Sequence, residues 1–139
     1  MRSFPLLLIA VILYNIVAFG TGATHNDVYG TLNSAATIHM FSGDEWHYSI
    51  GDFLVTIGLV LLFIEIVKAT RTSSRQILNH GLSMLTFVVA LIEFITLRGF
   101  ATSTFFLILA MCMIDVVGGY TISIIAAEHD LGIGRAGTD

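Results

Sequence analysis

The segment TFFLILAMCMIDVVGGYTISIIAA, residues 104–127, is a long apolar run that contains one ionisable acid, Asp115. An apolar helix of about 20 residues crosses the hydrocarbon layer of a membrane, which is roughly 30 Å thick. Three further runs reach or approach that length, at 4–20, 52–69 and 81–97. None of them alternates strictly between apolar and polar residues, so the sequence predicts four transmembrane helices rather than strands.

The composition agrees with a membrane protein of one domain. The chain has 139 residues, of which 55% are hydrophobic and 12% are charged, and its mean hydropathy is +0.87. A soluble domain carries about 25% charged residues, so this chain has too little polar surface to face water all round. We therefore predict an all-α bundle, with residues 1–139 as a single four-helix transmembrane domain.

Charge and cysteine content exclude several classes of protein. The net charge is −4 and no basic stripe is present, which argues against a nucleic-acid partner. The one cysteine, Cys112, lies inside an apolar run, so a disulfide scaffold and a CxxC redox site are both excluded. We interpret Cys112 as a buried structural thiol.

Basic residues predict the orientation of the four helices. Five of the six lie at the ends that would share one side of the membrane, namely Arg2, Lys68, Arg71, Arg75 and Arg135, and only Arg98 lies on the other. The positive-inside rule then places both termini in the cytoplasm and the long 21–51 loop outside. A signal peptide ending at AFG, 18–20, is the alternative for the first run, which is long for such a segment.

The outer loop carries signals for a helix start. Ser42 and Glu45 have the spacing of a capping box, which predicts that the second helix begins near Gly43. Trp46 and Tyr48 would then lie at headgroup depth. The preceding segment, 33–41, is predicted to form a short helix on the outer surface.

Polar residues are predicted to meet inside the bundle. At a rise of about 1.5 Å per residue, Asn15, Glu65 and Asp115 all fall near the middle of the membrane, and Glu93 lies closer to the outside. Each of the last three helices carries its small and polar residues on one seam. These are Gly51, Gly58, Glu65 and Thr72 on the second, Asn79, Ser83, Thr86, Ala90 and Glu93 on the third, and Cys112, Asp115, Gly119 and Ala126 on the fourth. Gly58, Gly118 and Gly119 are predicted to let helices approach closely.

Each of these acids has a structural and a functional interpretation. Glu65 can pair with Lys68 three residues later, and Glu93 has Arg98 nearby as a partner. Asp115 has no basic residue within reach on its own helix, so it is either a protonated packing residue or part of a proton or cation pathway. In the second case His80, at the cytoplasmic mouth of the third helix, would extend the relay; in the first it forms hydrogen bonds at a helix end.

No cofactor or catalytic set is predicted. His39, Asp44 and His47 gather in the outer loop, but their spacing matches no known metal motif, so a solvated surface is the preferred interpretation. No second membrane histidine faces His80, which argues against haem. No motif for a nucleophile, a dinucleotide or a nucleotide phosphate is present.

Three segments carry a resemblance to known proteins. They are SGDEWHYSIGDFLVTIGLVLLFIEIVKATRT (42–72), STFFLILAMCMIDVVGGYTISI (103–124) and the tail DLGIG (130–134). Together they resemble a group of small four-span inner-membrane proteins of proteobacteria, and the likeness extends over most of the chain from residue 40. It implies a fold and a location, and it brings no activity, cofactor or binding residue.

Two functions are consistent with these features. The first is a non-enzymatic accessory or assembly subunit, which packs in the lipid bilayer against other membrane proteins or against copies of itself. The alternative is a pathway for protons or cations through the carboxylate layer. An enzyme acting on lipid or quinone is the least favoured, because no catalytic set is recognisable.

Overall fold

The structure is a computed structural model, and it describes residues 4–22, 24–71 and 74–136. These residues form five helices and two strands: α1 (Leu7–Gly20), α2 (His25–Leu32), β1 (Ala35–His39), β2 (Glu45–Ser49), α3 (Ile50–Ala69), α4 (Ser74–Thr96) and α5 (Ser103–Ala136). The predicted helical class of the apolar runs is confirmed.

Three helices are long and apolar enough to cross a membrane. They are α3, the part of α4 from Ile77 to Thr96, and the part of α5 from Ser103 to His129. The first predicted span, 4–20, contains only the 14-residue α1, which at about 1.5 Å per residue is shorter than the hydrocarbon layer. Together with α2 it meets the same test only as a bent pair.

The outer segment 21–51 contains regular structure that the sequence analysis predicted wrongly. Residues 35–39 form strand β1 instead of a surface helix, and β1 pairs antiparallel with β2 from Ala35 opposite Ser49 to His39 opposite Glu45. Gly43 has a φ of +94° in the turn between the strands, a conformation that favours glycine. Thr, Ile, Trp and Tyr side chains, which suit strands, flank this turn.

The second predicted helix therefore begins later than Gly43. It begins at Ile50, where the Ser49 side chain accepts from the Asp52 N–H and the Asp52 carboxylate accepts from the Ser49 N–H. This is a capping box, and it satisfies N–H groups that a helix start leaves unpaired. Ser42 and Glu45 therefore do not form the predicted capping box, because Ser42 lies in the turn between the strands and Glu45 is the first residue of β2.

An aromatic cluster joins α1 to the turn between α4 and α5. The Tyr14 hydroxyl donates to the Gly99 carbonyl oxygen at 2.7 Å and lies 2.7 Å from Thr102 Oγ1. The Tyr14 ring packs against Phe100 and Phe105 at centroid distances of 5.1 and 4.7 Å. All three aromatic side chains are fully buried, so this cluster fixes the middle of α1 against the bundle.

The opposite end of α1 lies against the last turns of α3. The Leu6 N–H, just before α1, donates to the Glu65 carboxylate at 2.8 Å. α1 thus runs antiparallel to α3 between the level of Glu65 and the level of Gly99. α5 packs mainly against α3 and α4, and this arrangement brings the polar seams of those three helices together.

Candidate functional site: a buried polar cluster

Glu65 is the most heavily bonded side chain of the polar seams. Its Oε1 accepts from the Leu6 N–H at 2.8 Å and from Lys68 Nζ at 3.1 Å, and its Oε2 accepts from Asn79 Nδ2 at 3.1 Å. The Glu65 side chain is 1% exposed, whereas that of Lys68 is 26% exposed. The ion pair between Glu65 and Lys68 that the sequence suggested is therefore present. Two further donors, the Leu6 N–H and Asn79 Nδ2, bond the same carboxylate.

Two buried oxygens beside Glu65 have no hydrogen-bond partner among the described residues. They are Oδ1 of Asn79 and Oγ of Ser83, which lie one turn apart on α4 in residues that are 3% and 2% exposed. The direction of the Asn79 amide follows from its neighbour: a carboxylate only accepts, so Nδ2 must face Glu65 and Oδ1 must face away. A buried oxygen left without a partner costs about 1–3 kcal/mol.

Asp115 of α5 completes the cluster. Its side chain is buried, at 4% exposure, and it lies beside Ser83 and within electrostatic reach of Glu65 and Lys68. The Ser83 hydroxyl is near enough to the Asp115 carboxylate to interact with it as a hydrogen-bond donor, although the contact falls outside strict hydrogen-bond geometry. Within residues 4–22, 24–71 and 74–136, Asp115 forms no salt bridge.

His80 lies next to Asp115 across Gly119. Its Nε2 is 2.8 Å from Ser123 Oγ, and the Ser123 hydroxyl donates to the Ala69 carbonyl oxygen at 3.0 Å. Because that hydroxyl has one hydrogen, His80 Nε2 is the donor to Ser123. A Cβ added to Gly119 would lie 3.2 Å from His80 Nδ1 and 3.8 Å from Asp115 Oδ1, so glycine gives these two side chains their common space.

We use "the buried polar cluster" for six side chains, namely Glu65, Lys68, Asn79, His80, Ser83 and Asp115. Helical spacing predicted that Asn79 and Ser83 share a seam, but it does not reveal that their oxygens lack partners. Ser123 was not predicted, although a spacing of four from Gly119 places it on the seam of Asp115.

The prediction that Asn15 shares a layer with Glu65 and Asp115 is wrong. Asn15 Nδ2 donates to Glu93 Oε2 at 2.8 Å and to the Val11 carbonyl oxygen at 2.8 Å. Leu6 is the residue that lies at the level of Glu65. Asn15 follows Leu6 by nine residues, so Asn15 lies roughly 13 Å further along α1 than Glu65. The prediction assumed a helix that starts at Phe4 and spans the full membrane thickness, whereas α1 begins at Leu7 and has 14 residues.

The predicted partner of Glu93 is also wrong. Glu93 is half-buried against Asn15, whereas Arg98 is exposed in the turn before α5, and the described residues contain no salt bridge between them. Gly99 has a φ of +83° and reverses the chain immediately after Arg98.

The three glycines predicted to allow close helix approach differ in their surroundings. A Cβ on Gly58 would lie 2.7 Å from Met111 Sδ, so Gly58 does allow α3 and α5 to approach. Gly119 makes room for His80, as described above. A Cβ added to Gly118 would have no described atom within 4 Å, so the prediction that Gly118 lets helices approach closely is wrong within this chain. Gly51 was predicted to lie on a seam but not to allow a close approach of helices. A Cβ added to Gly51 would nevertheless lie 2.6 Å from Thr104 Oγ1.

The outer histidines lie on the hairpin instead of on a helix face. His39 Nδ1 is 3.4 Å from Glu45 Oε1, His47 Nδ1 is 3.0 Å from Thr37 Oγ1, and Ser42 bonds Asp44. No group of three or more His, Cys, Asp or Glu side chains in the described part of the chain has the arrangement to hold a metal ion.

Comparisons of the chain with family models, curated proteins and solved structures found no match. The contacts and exposure of the described residues are therefore the basis for any function assigned to the chain.

Proposed function

We propose that this chain is a non-enzymatic, multi-pass protein of a bacterial inner membrane that acts as an accessory or self-associating subunit of a membrane complex. Three helices long and apolar enough to cross a membrane support the location. In this proposal α1 is the fourth member of the bundle, both termini are cytoplasmic, and α2 and the hairpin lie outside. The resemblance to small four-span proteins is in keeping with the same arrangement.

The observation that carries the proposal is the hairpin of β1 and β2. Its two strands form a two-stranded sheet, and among the described residues neither outer edge pairs with another strand. Met40 and Phe41 at its tip are 47% and 114% exposed. A hairpin of two strands is marginally stable alone, and an open edge is a template for a strand from another chain.

Photo-crosslinking tests this role directly. Phe41 is replaced with a photoreactive phenylalanine derivative, and membranes of the native host are irradiated before electrophoresis. Because Phe41 is fully exposed at the tip, the replacement should not disturb folding. We expect a discrete product of higher mass, identified by mass spectrometry as a second copy of the chain or as one other membrane protein.

Phe63 provides the matched control. It is also an exposed phenylalanine, at 68% exposure, but it lies within the apolar span of α3 and is expected to contact lipid. A discrete product from Phe41 alone supports association through the hairpin, and one from Phe63 alone shows association through the helices instead. Uncrosslinked monomer at both positions contradicts the subunit role.

The pathway for protons or cations is the second candidate. The buried polar cluster favours it, because Asp115, Ser83 and His80 from two helices come together in the apolar interior. However, Glu93 lies ten residues beyond Ser83 on α4, or roughly 15 Å along the helix, and it is occupied by Asn15. The predicted ladder of carboxylates is thus interrupted, so we place this function second.

A further inference from the structure

The buried polar cluster contains more negative charge than positive charge. Glu65 and Asp115 are both buried, and among the side chains that the structure describes, Lys68, which bonds directly to Glu65, is the basic one near them. When both carboxylates are ionised, the described cluster therefore has a net charge of −1 with neutral His80. An uncompensated charge in an apolar interior is strongly unfavourable unless a counter-charge is bound.

The same place contains oxygens that lack partners. Asn79 Oδ1 is directed away from Glu65 by the bond from Nδ2, and Ser83 Oγ lies beside Asp115 in a contact that falls outside strict hydrogen-bond geometry. Both residues are more than nine-tenths buried. A carboxylate, an amide oxygen and a hydroxyl oxygen are the hard donors that bind alkali and alkaline-earth cations.

We propose that Asp115, Ser83 and Asn79 bind a monovalent alkali cation between α4 and α5. One positive charge neutralises the cluster, whereas a divalent ion would overcompensate it, and Ca²⁺ sites use more carboxylates than Asp115 can provide here. The cation would join two helices through the Asp115 carboxylate and two oxygens that have no partner in strict hydrogen-bond geometry. This inference concerns binding, and it does not depend on the subunit role or on passage of the ion.

A protonated Asp115 is the competing description of the cluster. Protonation would remove the net charge, and the carboxylic O–H would then donate to one neighbouring oxygen. Because the Ser83 hydroxyl has a hydrogen of its own, that hydrogen and the acid proton could between them satisfy both Ser83 Oγ and Asn79 Oδ1. The two descriptions differ in one measurable property: only the cation makes stability depend on alkali ions at constant pH.

The test measures thermal unfolding of the purified full chain in detergent at pH about 8, where histidine is ordinarily neutral. NaCl or KCl is titrated against N-methylglucamine chloride at constant ionic strength. A ligand that binds only the folded state raises Tm in a saturable way, by roughly 9 °C at a concentration a hundred times Kd. We expect such a rise with at least one alkali ion and none with the bulky organic cation.

Variants assign the effect to the site. Asp115→Asn keeps the shape and removes the charge, so it should weaken the response to the alkali ion at least tenfold. Ser83→Ala removes one donor and provides the test if Asp115→Asn does not fold. Glu93→Gln, an acid bonded to Asn15 elsewhere in the bundle, should retain the full response.

Three results would overturn the proposal. The first is a wild-type Tm that does not distinguish alkali ions from N-methylglucamine. The second is an unchanged response in both Asp115→Asn and Ser83→Ala. The third is an equal loss of response in Glu93→Gln, which would show a general effect of removing an acid.

Discussion

Replacement of Glu65 by glutamine removes the charge at which three parts of the chain meet, namely the start of α1, the end of α3 and the start of α4. The carboxylate accepts from the Leu6 N–H, Lys68 Nζ and Asn79 Nδ2 at 2.8–3.1 Å. Loss of one partner of a buried ion pair costs about 3–5 kcal/mol, because the other charge is left uncompensated. Glutamine retains an acceptor for Leu6, and the Asn79 amide can rotate to accept from the new NH₂ group. We therefore expect Glu65→Gln to cost about 2–4 kcal/mol.

The assay is equilibrium unfolding in mixed detergent micelles, followed by circular dichroism, with Tm from thermal unfolding as a second readout. The expected cost corresponds to a fall in Tm of roughly 10 °C for a chain of this size. Glu93→Gln is the matched control. It is half-buried and bonds one described side chain, Asn15, and the glutamine oxygen can still accept that bond, so its cost should be below about 1 kcal/mol.

A stability of Glu65→Gln within about 1 kcal/mol of the wild type would refute this reasoning. It would mean that Glu65 is already neutral, or that water reaches the carboxylate and replaces its bonds. A large loss in Glu93→Gln together with a small loss in Glu65→Gln would show that the second pair, Asn15 and Glu93, is the main polar contact of the bundle.

Two further predictions concern the first turn of α3. Gly51→Ala should lower the free energy of unfolding by about 1–3 kcal/mol, because its Cβ would lie 2.6 Å from Thr104 Oγ1; Gly118→Ala has no described neighbour and should be neutral or stabilising by up to about 1 kcal/mol. Similar losses for both glycines in the same unfolding assay would contradict the packing described. Ser49→Ala should cost about 1 kcal/mol through loss of the N-cap, whereas Ser42→Ala, in the hairpin turn, should change unfolding by less than about 0.5 kcal/mol. The reverse order would restore the helix start that the sequence alone suggested.

The long apolar helices could be predicted because length and hydrophobicity decide them locally. The seam of Asn79, Ser83, Thr86 and Ala90 was visible for the same reason: a helical spacing of three and four places these residues on one face. All four are buried in the structure. The Lys68 bond to Glu65 could also be predicted, since it is a contact within one turn of a helix.

Contacts between helices could not be predicted from spacing. The depth of Asn15 depended on where α1 begins, and a shorter helix moved Asn15 to the level of Glu93. The hairpin was not predicted because Ser42 and Glu45 match the pattern of a helix start. A strand at 45–49 is favoured only by its pairing with residues 35–39. The missing partners of the Asn79 and Ser83 oxygens are a property of three packed helices, so no single helix reveals them.

An experimental density map of the full chain, reconstituted in lipid nanodiscs with Na⁺ as the alkali ion, tests the buried polar cluster most directly. The account predicts a density peak between α4 and α5 that contacts the Asp115 carboxylate, Ser83 Oγ and Asn79 Oδ1, at roughly the 2.3–2.6 Å of oxygen-bound metal ions. A dry cluster, in which Asp115 donates directly to Ser83 and nothing lies beside Asn79 Oδ1, would contradict it.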